Sequence, residues 1–419
     1  MLTHILHPSE QLSNFVHSLS LRLSQPQVRY LIRLADALLV CEGPKTLAAL
    51  QRQFVEAPDP SNFADFLRIS PWLAAEVRAA VRAHQVAWLI AEAERVGAPR
   101  VIYINIDDSL GEKDKDTRHI EPVSWFFDHT DNTYKNGFCY IVCTMRVGPN
   151  IATVDLRLYL REKTVRRLNR SRTPERRLPF RSKYRIARQI LMELAPLLPK
   201  GWKVYVQFDS WYASRRLIRF ARRQGWHVTC GLKSNRKLDG QTLAAHAQAL
   251  RHRWYTRVRV TTTDGDEQTF YVRRLEGRLA GLSDPVRVYV SKRHPREKSP
   301  AYIGCTDGTC PAKEALQGYA WRWSCETVNF YLKTRAGLAD FRVQSYEAVE
   351  RYGVAVFLAW AYVEWRFARE RSAQVRTYGD ILRRHREEHA EDWLRGVVQM
   401  AIETGDTEAV VKRFLRQEA

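Results

Sequence analysis

Two stretches of this chain, VIYINIDDS at 101–109 and WKVYVQFDS at 202–210, obey one pattern: a run of apolar and β-branched residues that closes on aspartate and serine. Short apolar runs bounded by polar residues read as strands buried on both faces. A chain carrying two of them must build a sheet covered by helices on either side, which is an α/β architecture. Asp107 and Asp209 then stand at the ends of buried strands, where they can converge on a common sheet edge. A strand-terminal aspartate alone is equally at home as a turn or helix-capping residue, so the pair needs a third observation.

The flanking sequence divides around these strands. From about Ser24 to Ala93 apolar residues recur at helical spacing, as in Val28, Leu31, Ile32, Leu34, Ala35, Leu38 and Leu39. Short helices are expected at 46–54 and 62–67, separated by the turn-rich EAPDPS, in an order that fits a helix-turn-helix or a plain small bundle. The texture changes at Pro99. Strands are expected within 101–109 and at 138–147 and 153–159, followed by the basic stretch 161–188, which serves either as a solvated loop or as a contact to a DNA backbone and whose later part runs into the helix-like RIARQILMELAPLL. A further strand, helix and strand over 202–232 complete an α/β unit. The segment 256–305 is β-rich, with alternating strands about a DG turn signal, and reads as an inserted sheet. Helical patterns return at Ala312 and run to the end. The expected divisions are thus a helical DNA-binding region at 1–98, a catalytic α/β region at 99–235 and 311–370 interrupted by a β-rich insertion at 236–310, and a helical region at 371–419.

Charge narrows the partner. Lys and Arg number 67 against 46 Asp and Glu, a net charge of +21, so the surface attracts polyanions. The cations are mostly arginine and recur throughout, which suits bidentate phosphate contacts better than a membrane surface. A hydrophobic share of 45% excludes wholesale disorder. Seven cysteines with no paired CxxC motif argue against a zinc ribbon or a disulfide framework and for reduced thiols in a cytoplasmic protein. The first residues, MLTHILHPSEQLSNF, lack the pattern of a secretion signal. The most apolar segment, 354–363, is interrupted by Glu364 and Arg366 and is too short to cross a bilayer.

Glu326 supplies the third observation. Tyr319, Arg322, Glu326 and Lys333 stand at steps of three, four and seven. On one helix these steps place Arg322, Glu326 and Lys333 on neighbouring turns of one face, with Tyr319 a turn earlier. A carboxylate among phosphate-binding cations differs from a Glu with ordinary helical charge partners in that two more acids are available to it. Three acids are the minimum that two hard divalent cations need for phosphodiester chemistry, in which one ion activates the nucleophile and the other the leaving oxygen.

These residues resemble a known family. Tyr319, Arg322, Glu326 and Lys333 match the Y-x2-R-x3-E-x6-K signature of cut-and-paste insertion-sequence transposases of the DDE superfamily. Asp107 with Ser109 is similar to their first-acid motif, and the strand ending in Asp209 and Ser210 to their second. The resemblance spans 101–341, includes the β-rich segment between the second and third acids, and extends more loosely to the N-terminal helices. It implies a ribonuclease-H-like core in which Asp107, Asp209 and Glu326 bind two Mg2+ ions, with Mn2+ substituting. It also implies that Tyr319, Arg322 and Lys333 hold the transposon-end backbone, and that the enzyme works as a homodimer on paired double-stranded ends before joining their 3′-hydroxyls to target DNA at the nucleoid. In such relatives an aromatic residue supports a flipped base, for which Trp254 and Tyr255 are candidates here, core packing being the alternative for each. Asp108 competes with Asp107 as the first ligand, although regular strand geometry points the two to opposite faces and only Asp107 fits the Asp-x-Ser pattern. His119, Asp128, His129 and Asp131 have metal-like composition but read as a polar turn and are assigned no catalytic role. A transposase-derived DNA-binding protein without catalysis is the alternative, as is a ribonuclease-H-like nuclease or resolvase without strand transfer. The complete acid set opposes the first, and the signature spacing and inserted strands the second.

Overall fold

The structure is a computed structural model that describes residues 5–56, 59, 61–128, 131–261 and 265–414. Five helices precede the sheet: α1 (Glu10–Ser18), α2 (Gln25–Val40), α3 (Leu47–Gln51), α4 (Ser61–Arg68) and α5 (Ala74–Arg95). Local chemistry sets their starts. Ser24 and Gln27 form a capping box at α2, and Thr46 caps α3 through the Ala49 N–H.

Next come β1 (Val101–Glu112), β2 (Ser124–Asp128), β3 (Thr133–Val147), β4 (Asn150–Tyr159), α6 (Glu162–Leu168), α7 (Lys183–Leu194), β5 (Lys203–Phe208), α8 (Arg215–Arg223) and β6 (His227–Leu232). The basic stretch 161–188 runs into α7 as expected, but it also includes a helix of its own, α6, in place of a loop. β1, β3 and β4 pair antiparallel, whereas β1, β5 and β6 run parallel, giving the order β4-β3-β1-β5-β6. This is the ribonuclease-H-like arrangement. β2, which the sequence reading passed over, pairs with the first residues of β3.

A small hairpin, β7 (Lys237–Leu238) and β8 (Gln241–Thr242), leads through α9 (Leu243–Ala249) to β9 (Thr256–Thr261), β10 (Glu267–Gly277), β11 (Val286–Lys292) and β12 (Ala301–Cys305). These inserted strands do not form a sheet of their own. β12 pairs antiparallel with β6, so β9 to β12 lengthen the central sheet to ten strands. Burial records the change: β5 is buried along nearly its whole length, while β9 alternates between buried Val258 and Val260 and exposed neighbours.

The chain closes with α10 (Ala312–Trp321), α11 (Ser324–Thr334), α12 (Tyr346–Glu370), α13 (Tyr378–Thr404) and α14 (Thr407–Phe414). α12 is buried almost all round from Tyr352 to Glu364 and is the axis on which the helical half packs. One apolar core joins it to α1, α2, α4 and the start of α5, together with Phe138, Tyr140 and Val142 of β3. Polar ties reinforce this: Arg351 donates to the carbonyls of Leu67 (2.9 Å) and Trp72 (2.7 Å), and Arg78 pairs with Glu350 at 2.8 Å. Across the sheet, Ile102, Ile104 and Ile106 of β1 meet Ile186, Ile190 and Leu191 of α7 and Leu217 and Ile218 of α8 in a second core.

Candidate active site

β1 and β5 lie parallel with Ile106 opposite Phe208, so the next residue on each strand is an acid. Asp209 thus follows the end of β5, whereas Asp107, expected at a strand end, lies inside β1, which runs on to Glu112 against β3 just where its pairing with β5 stops. Asp209 ends its strand for a local reason: its Oδ1 accepts hydrogen bonds from the N–H groups of Trp211 (3.0 Å) and Tyr212 (3.1 Å), which turns the chain toward α8. Asp107 Oδ1 accepts from the Asp108 N–H at 2.9 Å, leaving Oδ2 turned to Arg322, whose Nη1 lies 3.3 Å away.

Arg322 bridges two of the acids, since its Nη2 stands 3.0 Å from Glu326 Oε1. The Tyr319 ring lies under its guanidinium at 5.5 Å. The expected single helix through these residues is broken into α10 and α11. At the junction the N–H groups of Arg322, Trp323, Cys325 and Glu326 each bond three residues back, the tighter step of a 3-10 turn. Across this tightened junction Arg322 still reaches both the Tyr319 ring and Glu326. Lys333 sits half-buried in the last turn of α11 with no ion pair or hydrogen bond among the described residues.

Burial pushes the Asp107 carboxyl up to about 7; Arg322 opposes this, while Asp108 and Asp209 add to it by repulsion. A single guanidinium therefore compensates the clustered acids only in part. The oxygens of three carboxylates are also the donor set that hard divalent cations take. On both counts the residues fit a cation site, although the three carboxylates do not all lie within 4.8 Å of one another.

Asp108 is engaged elsewhere. It points to the opposite face of β1, where Lys183 at the start of α7 holds its Oδ2 at 2.6 Å and the Cys139 thiol donates at 3.6 Å. Lys183, in turn, packs over the Trp211 and Tyr159 rings. Nothing in the sequence reading selected Lys183; its only signal was a position opening a helix within the basic stretch.

Two clefts flank the acids. One, of about 560 Å³, is lined by Phe270, Arg293, Tyr319, Arg322 and Trp323. The other exposes Asp209, Ser210, Gly231 and Tyr319. Gly231 is required there, because a Cβ at that position would lie 2.7 Å from the Tyr319 hydroxyl and 3.2 Å from the Ser210 nitrogen. Trp323 and Phe330 bracket Glu326 on its helix and are 56% and 54% exposed, an unusual presentation for large aromatics and one the sequence reading missed. A visible signal existed, as both lie off the apolar face of α11.

The remaining candidates are dispersed. Trp254 is partly exposed in a 3-10 turn between Arg251 and Arg273, and Tyr255 packs against the second core beneath Lys292. Asp128 and Asp131 both pair with Lys135, at 2.9 and 2.5 Å, and His119 lies in a separate cleft beside Arg342. His129 falls outside the described residues. All seven cysteines are buried and unpaired. Among the described residues no helix is long and apolar enough to cross a membrane.

A ribonuclease-H-like sheet with two aspartates on adjacent parallel strands and a glutamate on a covering helix defines an α/β nucleic-acid-processing class. The chain belongs to the DDE superfamily endonucleases, whose family model matches residues 23–268. A second model, the transposase DDE domain, matches residues 181–362 and so takes in the second and third acids. No curated protein sequence matches the chain. Among solved structures, a cryo-EM structure of the piggyBac transposase synaptic complex with hairpin DNA is similar over 98% of this chain and 84% of that chain, at 12% identity and a TM-score of 0.48.

Proposed function

We propose that this protein is a cut-and-paste transposase that binds the ends of a mobile element, cleaves the DNA and joins the freed 3′-hydroxyls to a target. The observation that supports the reading is that Arg322 bridges Asp107 and Glu326, while Asp209 follows the strand parallel to that of Asp107, on elements separated widely in the chain. Asp107, Asp209 and Glu326 would hold two magnesium ions, or manganese in their place, which supply activation of the attacking oxygen and charge neutralisation at the leaving one. Asp107 is preferred over Asp108 because it shares Arg322 with Glu326, whereas Asp108 lies on the far face of the strand beside Lys183.

The other residues act on the DNA itself. Arg322, held against Tyr319 and two acids, presents its fork to one scissile phosphate. Lys333, one helical stretch beyond Glu326 and without a partner among the described residues, contacts the backbone further along. The net charge of +21 favours long-range capture of DNA in the cytoplasm, and two copies of the chain working on paired ends account for two-ended excision.

The test is incubation of a labelled double-stranded transposon end with protein and Mg2+, read on a denaturing gel. Asp107→Ala, Asp209→Ala and Glu326→Ala should each abolish nicking while retaining end binding in a mobility-shift assay, and each should weaken Mn2+ binding followed by calorimetry. Cutting that survives any one substitution removes that residue from the site. Binding without cutting by the unaltered chain, over a range of ends and both metals, would instead support a DNA-binding protein that has lost catalysis.

A further inference from the structure

Far from the sheet edge, the two ends of the helical half meet at a buried polar cluster that the DNA chemistry does not use. His385 and His389 stand four residues apart on α13 and therefore share one helix face. Both Nε2 atoms approach the same oxygen of Asp36 on α2, at 2.7 and 2.9 Å. The other Asp36 oxygen accepts the Ser9 N–H at 2.8 Å, which fixes the carboxylate from the chain leading into α1. The side chains of all three residues are at most 2% exposed.

Asp36 has no lysine or arginine partner among the described residues. A carboxylate withdrawn from water needs a compensating positive charge. That charge comes either from His389, whose pKa burial lowers but the Asp36 hydrogen bond and charge raise to above the usual value, or from a bound cation. Meanwhile both Nδ1 atoms are buried without a protein partner, so nothing at the far side of either ring dictates that Nε2 must carry a proton. One carboxylate oxygen and two Nε2 atoms, all within 4.8 Å of one another, converge on a common point. Paired histidines at i and i+4 with a third ligand from a facing helix are a recurrent zinc donor set, and the mixed nitrogen and oxygen donors suit Zn2+ better than Mg2+ or Ca2+.

We propose that Asp36, His385 and His389 form a zinc site that clasps α2 to α13. The site is separate from the catalytic acids in place and in ligand chemistry. Its role is to fasten the N-terminal helices to the C-terminal ones around α12.

The full-length chain, expressed with zinc, should retain one zinc ion per chain after desalting, measured by plasma mass spectrometry. A variant carrying Asp107→Asn, Asp209→Asn and Glu326→Gln should retain the same amount. Replacement of zinc by Co2+ should produce the visible absorption of tetrahedral cobalt, absent from His385→Ala/His389→Ala. Should that double variant fail to fold, His389→Cys preserves a ligand and should add a thiolate-to-cobalt band in the near ultraviolet. Zinc lost with the catalytic acids but kept by the histidine variant would assign the ion to the cleavage site and overturn the proposal. Absence of both retained zinc and the cobalt spectrum in the unaltered chain would overturn it equally, leaving a cluster held by protons alone.

Discussion

Glu364 offers a measurable test of how the helical half is fastened to the catalytic sheet. Its carboxyl is fully buried on α12 and meets four groups. Oε2 accepts from the Thr153 N–H of β4 (2.8 Å) and the Gln85 amide of α5 (3.0 Å); Oε1 faces the Thr153 hydroxyl (2.8 Å) and the Trp360 indole N–H (2.8 Å). Burial raises its pKa from 4.5 to about 8 against the opposing hydrogen bonds. A protonated acid satisfies every partner, because the Thr153 hydroxyl can accept as readily as it donates. In Glu364→Gln the amide can keep its oxygen toward Thr153 N and Gln85, whose own orientation is fixed by the Trp88 indole at 2.6 Å. The new NH2 then donates to the Thr153 hydroxyl but leaves Trp360 Nε1 without an acceptor, at a cost of about 1–3 kcal/mol for one buried unpaired donor.

The pH dependence has a definite sign. The folded-state pKa lies above the unfolded one, so the protonated carboxyl stabilises the fold fully below pH 4.5, and this contribution is lost as pH rises through about 8. At ~1.4 kcal/mol per pH unit, the wild type should lose about 2–3 kcal/mol from this group between pH 5.5 and 7.5, whereas Glu364→Gln loses none from it. Urea denaturation of both proteins across that window should therefore show the variant's deficit shrinking or reversing at the higher pH. Other titrating groups cancel in the comparison. Parallel stability curves would refute the reasoning and show that Glu364 is ionised in the fold.

Other substitutions probe the site directly. Asp108→Asn, which breaks the 2.6 Å contact with Lys183, should leave metal-dependent cleavage within a few-fold of wild type; loss of cleavage equal to that of Asp107→Asn in the gel assay would make Asp108 the ligand. Arg322→Ala should lower the slope of log affinity against log salt by about one unit on end DNA, and an unchanged slope would contradict a phosphate contact. Gly231→Ala should displace Tyr319 and cost about 1–3 kcal/mol by overpacking, seen as a lower melting temperature together with slower cleavage; an unaltered melting temperature would show that the close approach relaxes freely.

The elements that carry the candidate acids were legible in part because their signals are local. A buried apolar run declares the strands that carry Asp107 and Asp209, although β1 continues beyond its acid, and the spacing around Glu326 declares helix, although in two pieces. What escaped depended on tertiary context. The tight turn at Arg322 and Trp323 arises in a segment whose residues are all compatible with a straight helix. β2 is only five residues long, and its pairing depends on β3. That β9 to β12 join the main sheet is set by the pairing of β12 with β6, which no pattern within the inserted segment reveals. Glu364 and Arg366 were visible as interruptions of an apolar run; that they are buried, Arg366 with Glu370 and Glu388, depends on partners from other helices or a further turn away.

The sharing of one apolar core between α12 and the first helices has a consequence for synthesis. A ribosome delivers α1 to α5 long before it delivers α12, and until then Leu31, Leu38, Phe63 and Trp72 lack the surface that covers them. A chain interrupted after the second acid would present an uncovered apolar face to chaperones and proteases. Truncated copies of the gene should therefore yield degraded fragments in place of stable competitors for the same DNA ends, and any recognition by the N-terminal helices matures only when the third acid has also been made.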